Sequence, residues 1–96
     1  MFLAKVVGTA TSSRKHELLT GTKLQVVEPI EDTEGTRGRL LVAVDTVSAG
    51  VGELVLVALG SMARFALMHP QSPIDATIVG IVDRLEIPQA NLKEMI

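Results

Sequence analysis

The chain has 96 residues, enough for one domain, and nine Lys and Arg against eleven Asp and Glu leave a formal net charge of -2. No block of basic residues offers itself to a phosphate backbone, and the lack of cysteine excludes a disulfide framework, a thiolate nucleophile and a Cys-based zinc site. The longest unbroken apolar run, Leu54 to Leu59, is far too short to span a membrane. The apolar opening from Met1 to Val7 is broken by Lys5 and too short for a signal peptide, so a cytosolic globular domain is expected.

Short runs rich in Val, Ile and Thr, punctuated by Gly and Pro, predict strands in chain order. The first covers Phe2 to Thr11, with Gly8 as a bulge or bend. A polar stretch from Ser12 to Gly21 holds Arg14, Lys15 and His16. The second strand, Lys23 to Glu28, closes at Pro29, which cannot donate to a central ladder. Glu31 to Arg39 reads as a charged hairpin loop. Leu40 to Asp45 and Glu53 to Leu59 are strands three and four, joined by the small residues of Thr46 to Gly52. Ser61 reads as the N-cap of a short helix over Met62 to Leu67, which Pro70 and Pro73 end. The fifth strand runs from Ala76 to Leu85 around Gly80, and Pro88 to Ile96 is a tail with Leu92 and Met95 as its apolar grip. The expected organisation is one domain over residues 1–87 and a tail over 88–96.

Five short strands with bend glycines predict an all-β, five-stranded OB-like barrel, since closure removes exposed edges. The short helix falls between strands four and five, whereas an OB barrel usually carries it between three and four. Hydrophobic residues make up 47% of the chain, yet only Phe2 and Phe65 are aromatic. Mean hydropathy is +0.38. A monomer of this size buries only about 60–65% of its unfolded surface. That much aliphatic material implies either surface that a second subunit covers or a well-filled aliphatic core.

Motifs for chemistry fail one by one. Gly50-Val51-Gly52 has Val55 where a dinucleotide fingerprint needs its third glycine, and it leads into a strand rather than a helix. Gly60-Ser61-Met62-Ala63 lacks the glycine that a nucleophile elbow requires two residues after its serine. His16 and His69 lie in loop-like polar stretches, with no spacing that suggests a triad. Asp45, Asp75 and Asp83 stand at strand ends or turns, where Asp caps backbone N–H groups. No catalytic residue, metal ligand or cofactor is expected. Single-stranded nucleic acid needs aromatic stacking platforms over a basic groove, and neither is present.

Three segments together resemble a known family. They are Leu3-Ala4-Lys5-Val6-Val7-Gly8-Thr9 with Arg14-Lys15-His16, Leu18, Gly21 and Lys23-Leu24; then Val44 to Leu56 followed by Gly60-Ser61-Met62-Ala63-Arg64; then Pro73-Ile74-Asp75-Ala76 and Val79 to Asp83. In order and spacing, from residue 1 to about Arg84, they resemble the bacterial microcompartment vertex proteins, the EutN/CcmL family. Ser48 stands where that family usually has glycine, and Met62 where it usually has a small residue.

The resemblance implies a five-stranded barrel that assembles as a homopentamer. It also implies a place at the corners of a microcompartment shell tiled elsewhere by hexameric shell proteins, with a structural role and no catalysis. A ring of identical subunits uses a heterologous interface that closes by rotation. Small residues let backbones approach closely near a shared axis. On those grounds Ser48, Ala49 and Gly50, or Gly60, Ser61, Met62, Ala63 and Arg64, are candidates for the five-fold axis or the subunit interface. The alternative is an OB-like module that binds an oligonucleotide or a metabolite; no partnership with nucleic acid or membrane is otherwise expected.

Overall fold

A computed structural model of the chain describes residues 1–11, 19, 21–30, 39–68 and 74–86. The expected polar stretch around His16, most of the charged loop from Glu31, His69, Pro70, Pro73 and the tail lie outside the described residues. The elements are β1 (Phe2–Ala10), β2 (Lys23–Pro29), β3 (Leu41–Asp45), β4 (Leu54–Leu59), α1 (Gly60–Leu67) and β5 (Ala76–Ile81).

The strands close into a barrel in the order β1-β2-β3-β5-β4, with β4 returning to β1. Every pairing is antiparallel except β3 with β5, which run parallel through Val44↔Thr77 and Asp45↔Ile78. Both glycines suspected of bending strands sit at irregularities. The β1–β2 register passes from Val6↔Val27 directly to Gly8↔Val26. On the other side it passes from Leu56↔Gly80 to Val57↔Ile78. Each jump leaves one residue, Val7 or Val79, without a partner in that ladder. Such bulges sharpen local twist and bend, which five short strands need in order to close.

Alternation along the strands fills the barrel. Ala4 and Val6, Val27, Ala43, Val55 and Val57, Ala76 and Ile78 form one buried cluster, with Phe2, Leu41, Val47 and Ile81 packed against it. A narrow barrel leaves room for Val, Ala and Ile, which accounts for a high aliphatic content without Trp or Tyr. A second, smaller cluster lies outside the barrel wall. There Val44 and Ile74 pack against Ala63 of α1, joined by Leu19, Leu24 and Leu67. β5 is therefore buried on both faces at Ala76, Thr77 and Ile78. The Thr77 hydroxyl, wholly buried beneath the helix, donates to the Ala63 carbonyl at 2.9 Å.

Two element boundaries differ from expectation, and the helix ends at the expected residue for a different reason. Ser61 is not the N-cap: Leu59 precedes the helix in extended conformation, with no side-chain cap bond. Gly60, at φ 64, turns the chain from strand into helix, and its N–H donates to the Asp75 carbonyl at 2.9 Å. A backbone acceptor from the entry to β5 thus does the work assigned to a hydroxyl. The helix ends at Leu67, with Met68 in the left-handed conformation and its N–H bonded to the Phe65 carbonyl, before either proline is reached. β5 stops at Ile81 rather than Leu85. After the bond from Val82 N–H to the Leu54 carbonyl, β4 has no further residue to pair with.

Candidate functional site

The candidate residues fall at two places, and the structure keeps them apart. One is the 46–53 loop entering β4; the other is the turn into α1 that leaves it. A six-residue strand spans roughly 17–20 Å, so the two segments stand at opposite ends of β4.

The first segment is built around Asp45. Its Oδ1 accepts from Val47 N–H at 2.9 Å, and its Oδ2 accepts from Ala49 N–H at 2.8 Å. This is the turn-capping role expected of an Asp at a strand end. Oδ2 also accepts from Gln25 Nε2 at 3.2 Å, and the same Nε2 donates to the Ala49 carbonyl at 2.7 Å. Thr9 Oγ1 completes the chain by donating to Gln25 Oε1 at 2.8 Å. Gln25 is 1% exposed, so its amide belongs to the interior and its partners are obligatory. The network pulls Ala49 into the barrel core, where it is wholly buried. Ala49 is thus a plug in its own subunit.

The rest of the loop is fixed by main-chain bonds. Gly50 N–H donates to Glu53 Oε1 at 2.6 Å, and Glu53 N–H returns to the Gly50 carbonyl at 3.1 Å. Gly52, at φ 94, donates to the Val6 carbonyl at 2.8 Å, while Val6 N–H reaches the Glu53 carbonyl at 3.0 Å. Ser48 has φ 58, a conformation L-residues adopt at a cost. That is the physical reason for a glycine to stand at this position. Ser48→Gly is therefore expected to stabilise the subunit by about 0.5–1 kcal/mol. Thermal unfolding at one fixed concentration, with Ser48→Ala as comparator, checks this. A lower midpoint for the glycine variant would contradict it.

In the second segment Gly60, Ser61 and Met62 are exposed, Ala63 is wholly buried on the inner face of the helix, and Arg64 is half-buried. Arg64 Nη1 donates to the Ile74 carbonyl at 3.0 Å and ties the helix to the segment entering β5. Arg64 is a clasp within the subunit. Two features escaped the sequence reading. Gln25 shares the inward phase of Val27 along β2, and a polar residue in that phase was the available signal. The outer helix face is the other: Met62 is 64% exposed and Phe65 76%, while Ala63 and Leu67 face the barrel. Of the two aromatic residues, Phe2 packs against the core, so no pair of rings forms a stacking platform.

The chain matches the family described as ethanolamine utilisation protein EutN/carboxysome over residues 1–83. It is 49% identical over 86 residues to the bacterial microcompartment shell vertex protein GrpN of Rhodospirillum rubrum, covering 90% of this chain and 97% of that protein. To the carboxysome shell vertex protein CcmL of a Synechocystis species it is 42% identical over 92 residues, covering 96% of this chain and 92% of that one. Among solved structures it is similar to the GrpN pentameric microcompartment shell protein from Rhodospirillum rubrum. The TM-score there is 0.77 at 49% identity, over 92% of this chain and all of that one. Barrel order, loop chemistry and these likenesses agree over nearly the whole chain: it belongs to the EutN/CcmL family of microcompartment shell vertex proteins.

Proposed function

We propose that five copies of the chain close into a ring that fills a corner of a microcompartment shell, beside hexameric tiles, without catalysing a reaction. The observation that carries this is the likeness to the pentameric shell protein over the full length of that chain. The physical need is geometric. A sheet of hexagonal units stays flat, and it closes into a polyhedron only where five-fold units replace six-fold ones. The carboxylates of Asp45 and Glu53 in the 45–53 loop hold the fold. Asp45 receives three N–H donors and Glu53 receives the Gly50 N–H.

Native mass spectrometry at micromolar concentration is expected to show one dominant species of roughly 50 kDa, five copies of a 10.2 kDa chain. A dominant monomer or even-numbered oligomer would defeat the reading. In the cell, deletion is expected to leave open or elongated shells around enzymes that keep their activity. Closed shells with one enzymatic step missing would make the chain a catalyst instead.

The turn at Gly60–Met62 is the segment of this ring that faces the five-fold axis. Ala49 is consumed inside its own barrel, which disfavours the 48–50 segment, whereas Gly60 and Ser61 are exposed. Ser61→Glu then gathers five like charges at one opening. The pentamer should weaken most at low salt and recover as salt rises, because mobile ions screen exposed charges over about 10 Å at 0.1 M. Sedimentation across a salt series measures this. Salt-insensitive weakening would mean a steric clash at a packed interface, and no weakening would place Ser61 away from the axis.

A further inference from the structure

Among the described residues, the outer face of α1 and a groove beside β3 are both largely apolar and both uncovered. Successive helical residues are about 100° apart, so Ala63 and Leu67 share the face toward the barrel while Met62 and Phe65 point away from it. With Met68 at the helix end, 84% exposed, they form a convex patch of three large side chains. At these exposures they present roughly 400 Å² of side-chain surface, about half of one partner's share in a standard interface. Aromatic residues and Met are the types enriched at the buried centre of such interfaces.

The concave feature arises from the parallel seam. Among the described residues β3 and β5 pair at Val44↔Thr77 and Asp45↔Ile78, and Leu41 to Ala43 have no ladder partner there on the β5 side. The opening is a mostly apolar groove of about 190 Å³ lined by Leu19, Leu24, Val42, Val44, Ile74 and Ala76, together with Asp75. Val42 is 51% exposed at its mouth. The groove has room for one large apolar side chain, and Phe65 is the exposed aromatic among the described residues.

We infer that the two features are the two halves of the ring contact: Phe65, flanked by Met62 and Met68, enters the groove beside Val42 of the next copy. This rests on the pentameric reading above. A heterologous ring needs two unlike, complementary surfaces on one chain, and a convex and a concave apolar patch on separate elements meet that need. The occupant is a second copy because the likeness to a pentameric shell protein requires each subunit to meet its neighbour through unlike faces.

The test uses two folded variants, Phe65→Glu and Val42→Glu, both at exposed positions, checked by circular dichroism and sized by native mass spectrometry. The unmodified chain is measured first. If it is not a pentamer, the assembly reading itself fails, and this inference with it. Given a pentamer, each variant alone is expected to fall to the 10.2 kDa monomer. Mixed in equal amounts, they are expected to form a heterodimer of roughly 20 kDa that grows no further. The intact helix face of the Val42 variant meets the intact groove of the Phe65 variant, and the two remaining surfaces are both spoiled. A folded variant that stays pentameric by itself, or a mixture that stays monomeric, would overturn the inference while leaving the pentamer standing.

Discussion

Replacing Ile78 by alanine is expected to lower the stability of the subunit by about 3–4 kcal/mol. Ile78 is the largest fully buried side chain among the described residues, opposite Val57 on β4 and beside Asp45 on β3. Its surroundings are short: Val6, Val27, Ala43 and Val55 line the same interior. Strands held in a closed ring of ladder bonds cannot move inward to fill a hole, so the cavity persists and the full cost is felt. A domain of this size has about 5–15 kcal/mol in total, so the loss is a large share of it. Ile78→Val, which removes one methyl group, should cost only about 1 kcal/mol. Denaturant unfolding at fixed subunit concentration measures both, because assembly adds stability by mass action. A cost below about 1 kcal/mol for the alanine variant would mean that the barrel centre is not packed as described.

The second large effect is expected at Asp45. Asp45→Ala removes the acceptors of Val47 N–H and Ala49 N–H, and Ala49 is wholly buried. Unpaired buried donors cost about 1–3 kcal/mol each, which puts the variant about 3 kcal/mol below the parent. Gln25→Leu keeps the volume and strips the donor from the Ala49 carbonyl, with an expected cost of about 2 kcal/mol. The two sites share a hydrogen bond and a loop, so the double variant should lose less than the sum of the singles. Strict additivity would show that Gln25 and Asp45 act independently. Amide exchange at Ala49 gives a local readout, since freeing the loop should speed it well before the barrel unfolds.

Such a loss should carry over to assembly. The 45–53 loop and the α1 turn lie at opposite ends of β4, so loosening the loop acts on the helix only through the barrel. Substitutions at Asp45 and at Phe65 therefore differ in kind. The first lowers subunit stability and takes the ring with it, whereas the second leaves a folded monomer.

Local chemistry made much of this chain legible. Runs of β-branched and aliphatic residues bounded by turn residues located β2, β3 and β4 to within a residue or so, because strand preference and turn chemistry act between near neighbours. The residues from Asp45 to Glu53 carry the family pattern for a local reason as well. An Asp that caps its own turn, a glycine at φ 94 and a Glu reaching three residues back act within a few positions of each other. The position of Ser48 follows the same logic, since its φ of 58 favours the glycine it replaces.

What lies beyond a few residues along the chain was decided only by the tertiary structure. The parallel β3–β5 seam brings residues 44 and 77 together and leaves the groove beside Val42. Gln25 is buried because Thr9, Asp45 and the Ala49 carbonyl converge on it from three other places in the sequence. Ser61 lost its capping role to the carbonyl of Asp75, fifteen positions from Gly60, and β5 ended where β4 ran out of partners. A propensity or a turn is settled by the backbone of neighbouring residues. A buried amide, a seam or a strand end is settled by which distant groups closure of the barrel brings within hydrogen-bonding reach.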